Sequence, residues 1–214
     1  MKLILTRHGL TIENTIGKIQ GHNSGTLHEK GIEQAQKLGQ RFKEEPFDII
    51  YSSDLKRAAD TAKEIHLHHP TVPIVFTEKL RERDFGLLTG KTKNDLGFEN
   101  HSPFPREFIE SLEVHEKYKV ETEEKSLKRA KDIIDEIYEK HKDDTVIIVS
   151  HGSFSRFLVA AITGGKYTDK EMLGNTGVSI FDIDEDRNHK IILHNCIKHL
   201  EEWYYEAIQL WRNQ

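Results

Sequence analysis

Two short apolar runs in this sequence end in a histidine followed by a glycine. Residues 2–6 lead into Arg7-His8-Gly9, and residues 145–150 lead into His151-Gly152. In open α/β sheets, ligands bind beyond the carboxyl ends of the strands. If both runs are central parallel strands, both histidines face one crevice, and a glycine after each lets the backbone approach a ligand closely. One histidine at a strand end is more often structural, but two matched ends with a preceding arginine favour a functional site.

Three further segments provide groups that suit an anion. A polar stretch shortly after the first histidine holds Asn14, Gln20 and Gly21. Arg57 lies where a predicted helix opens after a strand, and Glu82 lies between two arginines ahead of a glycine. Taken alone, an arginine on a helix or a mixed charge cluster is usually part of the solvated surface. Together with the two strand ends, these groups predict a local cluster of cations that includes one carboxylate.

Composition narrows the class of partner. The 214 residues include 31 Lys and Arg against 36 Asp and Glu, a formal net charge of −5. An acidic chain argues against nucleic acid as the main partner, so an anion site must come from a local cation cluster. No apolar stretch approaches the ~20 residues of a membrane helix, and the first run is too short for a signal peptide. With Cys196 as the single cysteine, we expect a soluble cytoplasmic protein without membrane partners.

The elements that must position these residues follow an α/β pattern, since short apolar runs alternate with longer periodic segments. The run 146–149 is apolar at every position, which is typical of a strand buried on both faces. We predict one domain over residues 1–214, an α/β three-layer sandwich with a mostly parallel central sheet flanked by helices. The predicted strands are 2–6, 47–51, 73–77, 145–150, 178–182 and 190–194. The predicted helices include 32–42, 55–65, 127–138 and 154–162.

Two segments depart from this alternation. Residues 92–121 hold two of the five prolines, Pro103 and Pro105, with scattered aromatic side chains and much charge. We predict an irregular insertion there, a lid over the edge of the sheet, because long irregular segments in compact domains are often functional. Residues 197–211 are predicted as a last helix with apolar residues on one side. We expect that side to pack on the domain, and a homodimer contact is the alternative.

The ordered set of charged segments resembles a known family, the histidine phosphatase superfamily of phosphoglycerate mutase-like enzymes. Arg-His-Gly alone is a weak signal, whereas the whole set in the family's order is specific and spans residue 1 to about residue 182. The matching segments are Arg7-His8-Gly9-Leu10-Thr11-Ile12-Glu13-Asn14, Gly31-Ile32-Glu33-Gln34-Ala35, Tyr51-Ser52-Ser53-Asp54-Leu55-Lys56-Arg57-Ala58, Leu80-Arg81-Glu82-Arg83-Asp84-Phe85-Gly86, Ser150-His151-Gly152 and Asn175-Thr176.

The resemblance implies a role for each candidate residue. It implies that His8 is the nucleophile that becomes phosphorylated and that Glu82 donates and accepts the proton. It also implies a group of cationic and polar side chains that hold the phosphoryl oxygens, namely Arg7, Arg57, His151 and Asn14. Contacts with the substrate are expected at Gln20, Gly21 and Gly152.

The chemistry of these residue types suits phosphoryl transfer, which depends mostly on positioning and on stabilising an anionic transition state. Guanidinium groups offer planar, permanently charged, fork-shaped donors for phosphoryl oxygens. Nearby cations disfavour a charged imidazole, so His8 should stay neutral and nucleophilic. We expect neither a metal nor a cofactor, because the arginines and histidines supply the positive charge.

Three functions fit this reading. The leading hypothesis is a cofactor-independent phosphatase that hydrolyses small phosphomonoesters through a phosphohistidine on His8. The second is a phosphoglycerate mutase-type transfer, but the segment 90–127 is short compared with the insertion of true mutases, which favours the phosphatase. The third is a module that senses a phosphorylated ligand. A pure binding protein has no need for Glu82, because a carboxylate repels phosphate unless it is protonated.

Overall fold

The computed structural model describes residues 1–92, 94–98, 106–165 and 172–201. Its strands are β1 (Lys2–Arg7), β2 (Ile49–Ser53), β3 (Ile74–Thr77), β4 (Thr145–Ser150), β5 (Val178–Ile183) and β6 (His189–Cys196). Its α-helices are α1 (Ile12–Thr15), α2 (Glu29–Phe42), α3 (Lys56–His66), α4 (Arg106–Ile109), α5 (Leu112–Tyr118), α6 (Glu123–Lys140) and α7 (Gly152–Thr163). Short 3₁₀ helices cover Glu78–Leu80, Gly86–Leu88, Asn94–Leu96 and Lys198–Leu200.

These strands form one sheet in the order β3-β2-β4-β1-β5-β6. The pairs β1–β4, β2–β4 and β2–β3 are parallel, whereas β5 is antiparallel to both β1 and β6. Five of the six residues of β4 are buried, as its uninterrupted apolar run predicts. The predicted fold class, an α/β sandwich with a mostly parallel central sheet, is confirmed. Both ends of each predicted strand lie within two residues of the ends of an observed strand.

Helices cover both faces of the sheet because successive residues of a strand point to opposite faces. In β1, Leu3 and Leu5 belong to a core shared with α6 and α7. Ile4, which lies between them, belongs to a second core shared with α2 and α3. The carboxyl ends of the parallel strands β1, β2 and β4 therefore meet at one edge between two layers of helices. No helix in the described part of the chain is long and apolar enough to cross a membrane.

The segment 92–121, predicted as an irregular lid, contains short helices where the structure describes it: Asn94–Leu96, α4 and α5. Apolar residues of this segment pack with neighbouring ones into a small cluster separate from the two sheet cores. The buried members of the cluster are Ile19, Leu88, Ile109, Val114 and Val120. Pro103 and Pro105 lie outside the described residues, and so does the predicted last helix from residue 202 onward.

Candidate active site

The two histidine–glycine pairs lie side by side at the carboxyl edge of the sheet. The register of β1 and β4 pairs Arg7 with Ser150, so the next residue of each strand is a histidine. The His8 backbone N–H donates to the Ser150 carbonyl oxygen at 3.0 Å, and the ring centroids of His8 and His151 are 5.2 Å apart. Both rings are buried, with 2% and 0% exposure. The structure thus brings the two histidines together at one edge of the sheet, as the strand pattern predicts.

The His8 ring has a defined proton position. Its Nδ1 lies 2.7 Å from the Gly9 carbonyl oxygen, which can only accept, so Nδ1 carries the proton and Nε2 keeps a lone pair. Burial lowers the pKa of His8 well below its ordinary 6.5, and the charges of Arg57 and Arg7 lower this pKa further. The ring is therefore neutral at neutral pH, with Nε2 as the nucleophilic atom.

Two arginines, the buried Arg57 and the partly buried Arg7, flank this ring without a carboxylate partner in the described part of the chain. Arg57 is 1% exposed and donates to the backbone carbonyls of Ser24 at 3.2 Å and of Gly21 at 3.0 Å. Arg7 donates to the Leu173 carbonyl at 2.9 Å. The Nε atom of each arginine is buried and has no hydrogen-bond partner among the described residues. Burial lowers the pKa of Arg57 to about 10 and also lowers the pKa of Arg7. Arginine keeps its charge in proteins, so both guanidiniums are available to an anion.

His151 completes the cluster from the second strand end. Both of its ring nitrogens are buried and lack a hydrogen-bond partner within the described residues. Burial lowers the pKa of His151 well below 6.5, and the nearby Arg57, His8 and Arg7 act in the same direction. A buried polar ring without partners is costly unless a ligand supplies them. His151 is thus placed to bind an oxygen of the same anion.

Glu82 reaches this edge of the sheet by binding the start of α7. Its Oε1 accepts from the Phe154 backbone N–H at 2.8 Å, and its Oε2 accepts from that of Ser153 at 3.1 Å. The sequence predicts the start of this helix at residue 154, but the helix begins at Gly152. The earlier start follows from this tertiary contact, because the carboxylate satisfies N–H groups that a helix N-terminus leaves open. Glu82 also acts on both flanking arginines, since its charge raises the pKa of Arg7 and of Arg57 against the effect of burial.

A second set of charges holds the segment that carries Glu82. Arg129 from α6 donates to the Arg81 carbonyl at 2.8 Å and to the Glu121 carboxylate at 2.9 Å. The side chain of Arg81 donates to Asp54 at 2.7 Å. Sequence reasoning missed Arg129, because it lies among the many charges of a helix surface and the loop carbonyl that it binds is 48 residues away. The arginines beside Glu82 are therefore anchors of the loop.

Arg83 anchors the insertion to the same loop. It is 1% exposed, and its two terminal nitrogens donate to the Glu110 carboxylate at 2.6 and 2.9 Å. Its Nε donates to the Glu121 carbonyl at 2.7 Å. The reading of this stretch as an exposed charge cluster, which the sequence favours when it is taken alone, is wrong for Arg83. A bidentate pair between the buried Arg83 and the partly buried Glu110 joins the residue next to Glu82 to the segment predicted as a lid.

The predicted substrate-binding residues occupy different positions. Gly21 lies against Arg57 through its carbonyl, and the Gln20 Oε1 is buried without a partner in the described structure. The Asn14 side chain instead takes part in capping α1, where its Oδ1 accepts from the Thr11 N–H at 3.2 Å. Gln20 and Gly21 thus border the cationic cluster, while Asn14 also fixes the loop that follows β1.

The glycine after each histidine has a close neighbour within the protein. A Cβ on Gly9 would lie 2.4 Å from the Gly31 carbonyl oxygen of α2. A Cβ on Gly152 would lie 3.0 Å from the central guanidinium carbon of Arg7. The sequence pattern predicts that these glycines let the backbone approach a ligand. The structure shows that Gly9 lets α2 approach and that Gly152 makes room for the Arg7 side chain.

Two further residues, Thr61 and Asn175, support the His8 segment. Thr61 carries no recognisable signal in the sequence, whereas Asn175 lies in one of the segments that resemble the family. The hydroxyl of Thr61 accepts from the Gly9 N–H at 3.1 Å and donates to the Arg57 carbonyl at 2.8 Å. The Asn175 side chain donates to the His8 carbonyl at 3.0 Å. These contacts tie α3 and the loop before β5 to the strand end that carries His8.

The arrangement can perform a defined chemistry. It offers a neutral nitrogen nucleophile, two charged guanidiniums, a second imidazole and a carboxylate at one edge of the sheet. Such a set can bind a small oxyanion and transfer its central atom to the imidazole. No group of three or more His, Cys, Asp or Glu side chains suited to a metal ion occurs among the described residues.

Comparisons with known proteins agree with this chemistry. A family model described as the histidine phosphatase superfamily (branch 1) matches residues 3–196. Phosphoserine phosphatase 1 of Hydrogenobacter thermophilus is 32% identical over 212 residues, which cover 97% of this chain and 98% of that protein. A phosphoglycerate mutase of Schizosaccharomyces pombe is 32% identical over 196 residues, which cover 86% of this chain and 90% of that protein.

A solved structure has the same fold. Phosphoserine phosphatase from Entamoeba histolytica, in complex with 3-phosphoglyceric acid, superposes with a TM-score of 0.76 at 29% identity. The superposition covers 93% of this chain and 98% of that one.

Proposed function

This chain belongs to the histidine phosphatase superfamily and is a phosphatase, and we propose that His8 is its nucleophile and that its substrate is a small phosphomonoester of the phosphoserine type. The observation that carries this proposal is the buried neutral ring of His8, with a lone pair on Nε2. The ring stands between the positive charges of Arg7 and Arg57, which have no carboxylate partner in the described part of the chain.

In the first step, the lone pair of the His8 Nε2 attacks phosphorus, and the bond between phosphorus and the ester oxygen breaks. Arg7, Arg57 and His151 hold the non-bridging oxygens, where negative charge is concentrated. Glu82 in its protonated form gives its proton to the departing alcohol. The phosphorylated ring becomes cationic, and the Gly9 carbonyl stabilises it by accepting from the Nδ1–H.

In the second step, water attacks phosphorus from the side that the alcohol has left. The Glu82 carboxylate takes a proton from that water, and the bond between phosphorus and Nε2 breaks. Inorganic phosphate is released, the His8 ring is neutral again and Glu82 is protonated for the next cycle. Glu82 thus acts as an acid in the first step and as a base in the second, so one residue serves both half-reactions.

The names of the relatives support the choice of substrate class. Relatives from Hydrogenobacter thermophilus and Arabidopsis thaliana are named phosphoserine phosphatases, the second of them metal-independent. A mutase is the second candidate, since a relative of equal identity is named a phosphoglycerate mutase. The two functions share the first step and differ in what attacks the phosphohistidine: water in a phosphatase, a hydroxyl of the bound product in a mutase.

Phosphate release from a panel of esters tests the proposal. Wild type should release phosphate from phosphoserine faster than from nucleotides and sugar phosphates, with and without chelator. His8→Ala should lose at least about 10³-fold of this activity, because no other group replaces the nucleophile. His141→Phe serves as the control, since His141 precedes the start of β4 whereas the site follows its end, and the variant should leave turnover unchanged. Full turnover by His8→Ala would contradict the proposed nucleophile.

Incubation with 3-phosphoglycerate and a bisphosphoglycerate primer separates the two candidates. A phosphatase releases inorganic phosphate and leaves free glycerate. A mutase returns the isomeric phosphoglycerate with no free phosphate. Isomer without phosphate would establish the mutase and overturn the assignment of water as the acceptor.

We further propose a cytoplasmic location on the basis of composition and the single cysteine. The homodimer alternative stays a prediction, because the helix on which it depends lies outside the described residues.

A further inference from the structure

Residues 173–177, which we call the support loop, bind the back of the segment that carries the nucleophile. The Thr176 N–H donates to the Arg7 carbonyl at 3.0 Å, and the Asn175 side chain donates to the His8 carbonyl at 3.0 Å. The Arg7 guanidinium in turn donates to the carbonyl of the first loop residue at 2.9 Å. The loop therefore fixes both the main chain of the nucleophile segment and the side chain of one phosphate-binding arginine.

The support loop depends on an unusual backbone conformation at Thr176. Its φ of +55° lies in the left-handed region, which β-branched residues rarely adopt. Such a conformation persists only where the surrounding structure holds it. The Thr176 hydroxyl donates to the Asn175 carbonyl at 2.7 Å and lies 3.1 Å from the Nε2 of His199.

His199 is a buried histidine that the catalytic steps do not use. It is 0% exposed, and its Nδ1 lies 3.3 Å from a terminal nitrogen of Arg41 on α2. A guanidinium can only donate, so Nδ1 accepts, and Nε2 carries the proton that it donates to Thr176. Burial and the charges of Arg41 and Lys37 lower the pKa of His199 to about 3, so the ring is neutral at neutral pH and carries its one proton on Nε2.

These contacts form a directed relay, from Arg41 to His199, from His199 to the Thr176 hydroxyl and from that hydroxyl to the Asn175 carbonyl. We propose that Arg41 and His199 are positioning residues of the phosphatase, which hold Thr176 in its left-handed conformation and so keep the support loop on the nucleophile segment. The inference rests on the proposed function, because it assigns His8 and Arg7 to the reaction. A misplacement of about 1 Å in a reacting group can cost about 100-fold in rate.

Variants of Thr176 and His199 test this relay. Thr176→Val keeps the branched shape and removes the hydroxyl, and His199→Phe keeps a ring and removes both nitrogens. We expect kcat to fall by about 10- to 100-fold in each, with KM within about threefold of wild type, because geometry is disturbed while the binding charges remain. Thr176→Ser, which retains the hydroxyl, should restore most of kcat.

A matched control separates positioning from stability. His141→Phe likewise removes both ring nitrogens of a histidine with two side-chain partners, the Tyr51 hydroxyl at 3.0 Å and the Asp144 carboxylate at 2.8 Å, before the start of β4. It should lower Tm and leave kcat per folded enzyme unchanged. Wild-type kcat in Thr176→Val and His199→Phe, with only Tm lowered, would overturn the relay. If His199→Phe does not fold, Thr176→Val and Arg41→Met decide the outcome.

Phosphoenzyme labelling of wild type keeps this result apart from the proposed function. If wild type turns over without forming a phosphohistidine, the proposed nucleophile is wrong, whatever the variants do. If wild type is labelled and Thr176→Val is labelled at the same rate, the relay is wrong and the nucleophile stands. Labelling that is slowed in Thr176→Val and recovered in Thr176→Ser supports both.

Discussion

The arginines at the carboxyl edge of the sheet fall into two regions with opposite electrostatics. In the proposed phosphate-binding region, which we call the phosphate cradle, Arg7 and Arg57 donate to backbone carbonyls and make no ion pair within the described residues. In the anchor region, Arg81, Arg83 and Arg129 each pair with a carboxylate. Burying a charge without a counter-ion is costly. We therefore propose that the arginines of the cradle bind the substrate, whereas the paired arginines hold the loop that carries Glu82.

The comparison separates catalysis from support in residues that look alike in the sequence. Arg81 and Arg83 flank the proposed proton donor, yet both of their charges are already neutralised by the protein. Arg57 lies in a helix that reads as ordinary surface and has no such partner in the described chain. Nearness to a catalytic residue along the chain is therefore a poorer guide to phosphate binding than a missing counter-ion.

Arg57→Met is expected to have the largest effect. Removing a guanidinium that stabilises the transferring group should lower kcat/KM by about 10³-fold. The free energy of unfolding should change by only about 1 kcal/mol, because removing an uncompensated buried charge offsets the lost hydrogen bonds. Steady-state assays with phosphoserine and urea denaturation measure the two quantities. Strong destabilisation with normal turnover would place Arg57 among the anchors.

The second largest effect is expected for Glu82→Gln, and the size of its loss in activity depends on the leaving group. The variant should lose about 100-fold in kcat with phosphoserine, because the alkoxide then departs without a proton. With p-nitrophenyl phosphate the leaving group needs no proton, so the first burst of nitrophenol should remain while later turnover slows. Stopped-flow absorbance shows the burst. An equal loss of the burst and of steady turnover would assign Glu82 to binding instead of proton transfer.

Arg83→Met is the matched partner of the Arg57 variant and should show the reverse pattern. The free energy of unfolding should fall by about 3 kcal/mol, because the Glu110 carboxylate loses its buried partner. Activity should fall by less than about tenfold, since the cradle keeps its charges. The same two assays apply. A 10³-fold loss of activity in a stable Arg83→Met protein would erase the distinction between the two regions.

Acid should weaken the fold through the buried neutral histidines. Burial lowers the pKa of His8, His151 and His199 from 6.5. Below pH 6.5 these histidines therefore bind protons in the unfolded chain and stay neutral in the folded chain. The free energy of unfolding should therefore fall as pH drops below 6.5, by about 1.4 kcal/mol per pH unit for each such ring. Urea denaturation of wild type and His199→Phe between neutral pH and pH ~5 measures the slope. Identical slopes in the two proteins would contradict the neutral state of His199.

The sheet and the two strand ends were predictable because their signals are local. An uninterrupted apolar run marks β4, and the histidine–glycine pairs follow directly from two such runs. Parallel pairing then brings His8 and His151 together without further information. The rest of the candidate site depended on the resemblance of ordered motifs to a known family.

The contacts that support the site were not predictable because their partners are distant in the chain. Glu82 caps a helix 72 residues away and moves its start to Gly152, which no local pattern indicates. The support loop contacts His8 through Asn175, which is 167 residues away along the chain. Nothing in the sequence around His199 distinguishes it from an ordinary polar surface residue. Only the three-dimensional structure shows which charges have partners.

The most direct test is the position of the phosphoryl group on a trapped enzyme. Glu82→Gln incubated with p-nitrophenyl phosphate should accumulate the phosphoenzyme, because the base that activates water is missing. Mass spectrometry under non-acidic conditions and nitrogen–phosphorus NMR should place one phosphoryl group on the Nε2 of His8. A phosphoryl group on Nδ1 or on another residue, or none at all during turnover, would contradict the assignment of a neutral His8 as the nucleophile.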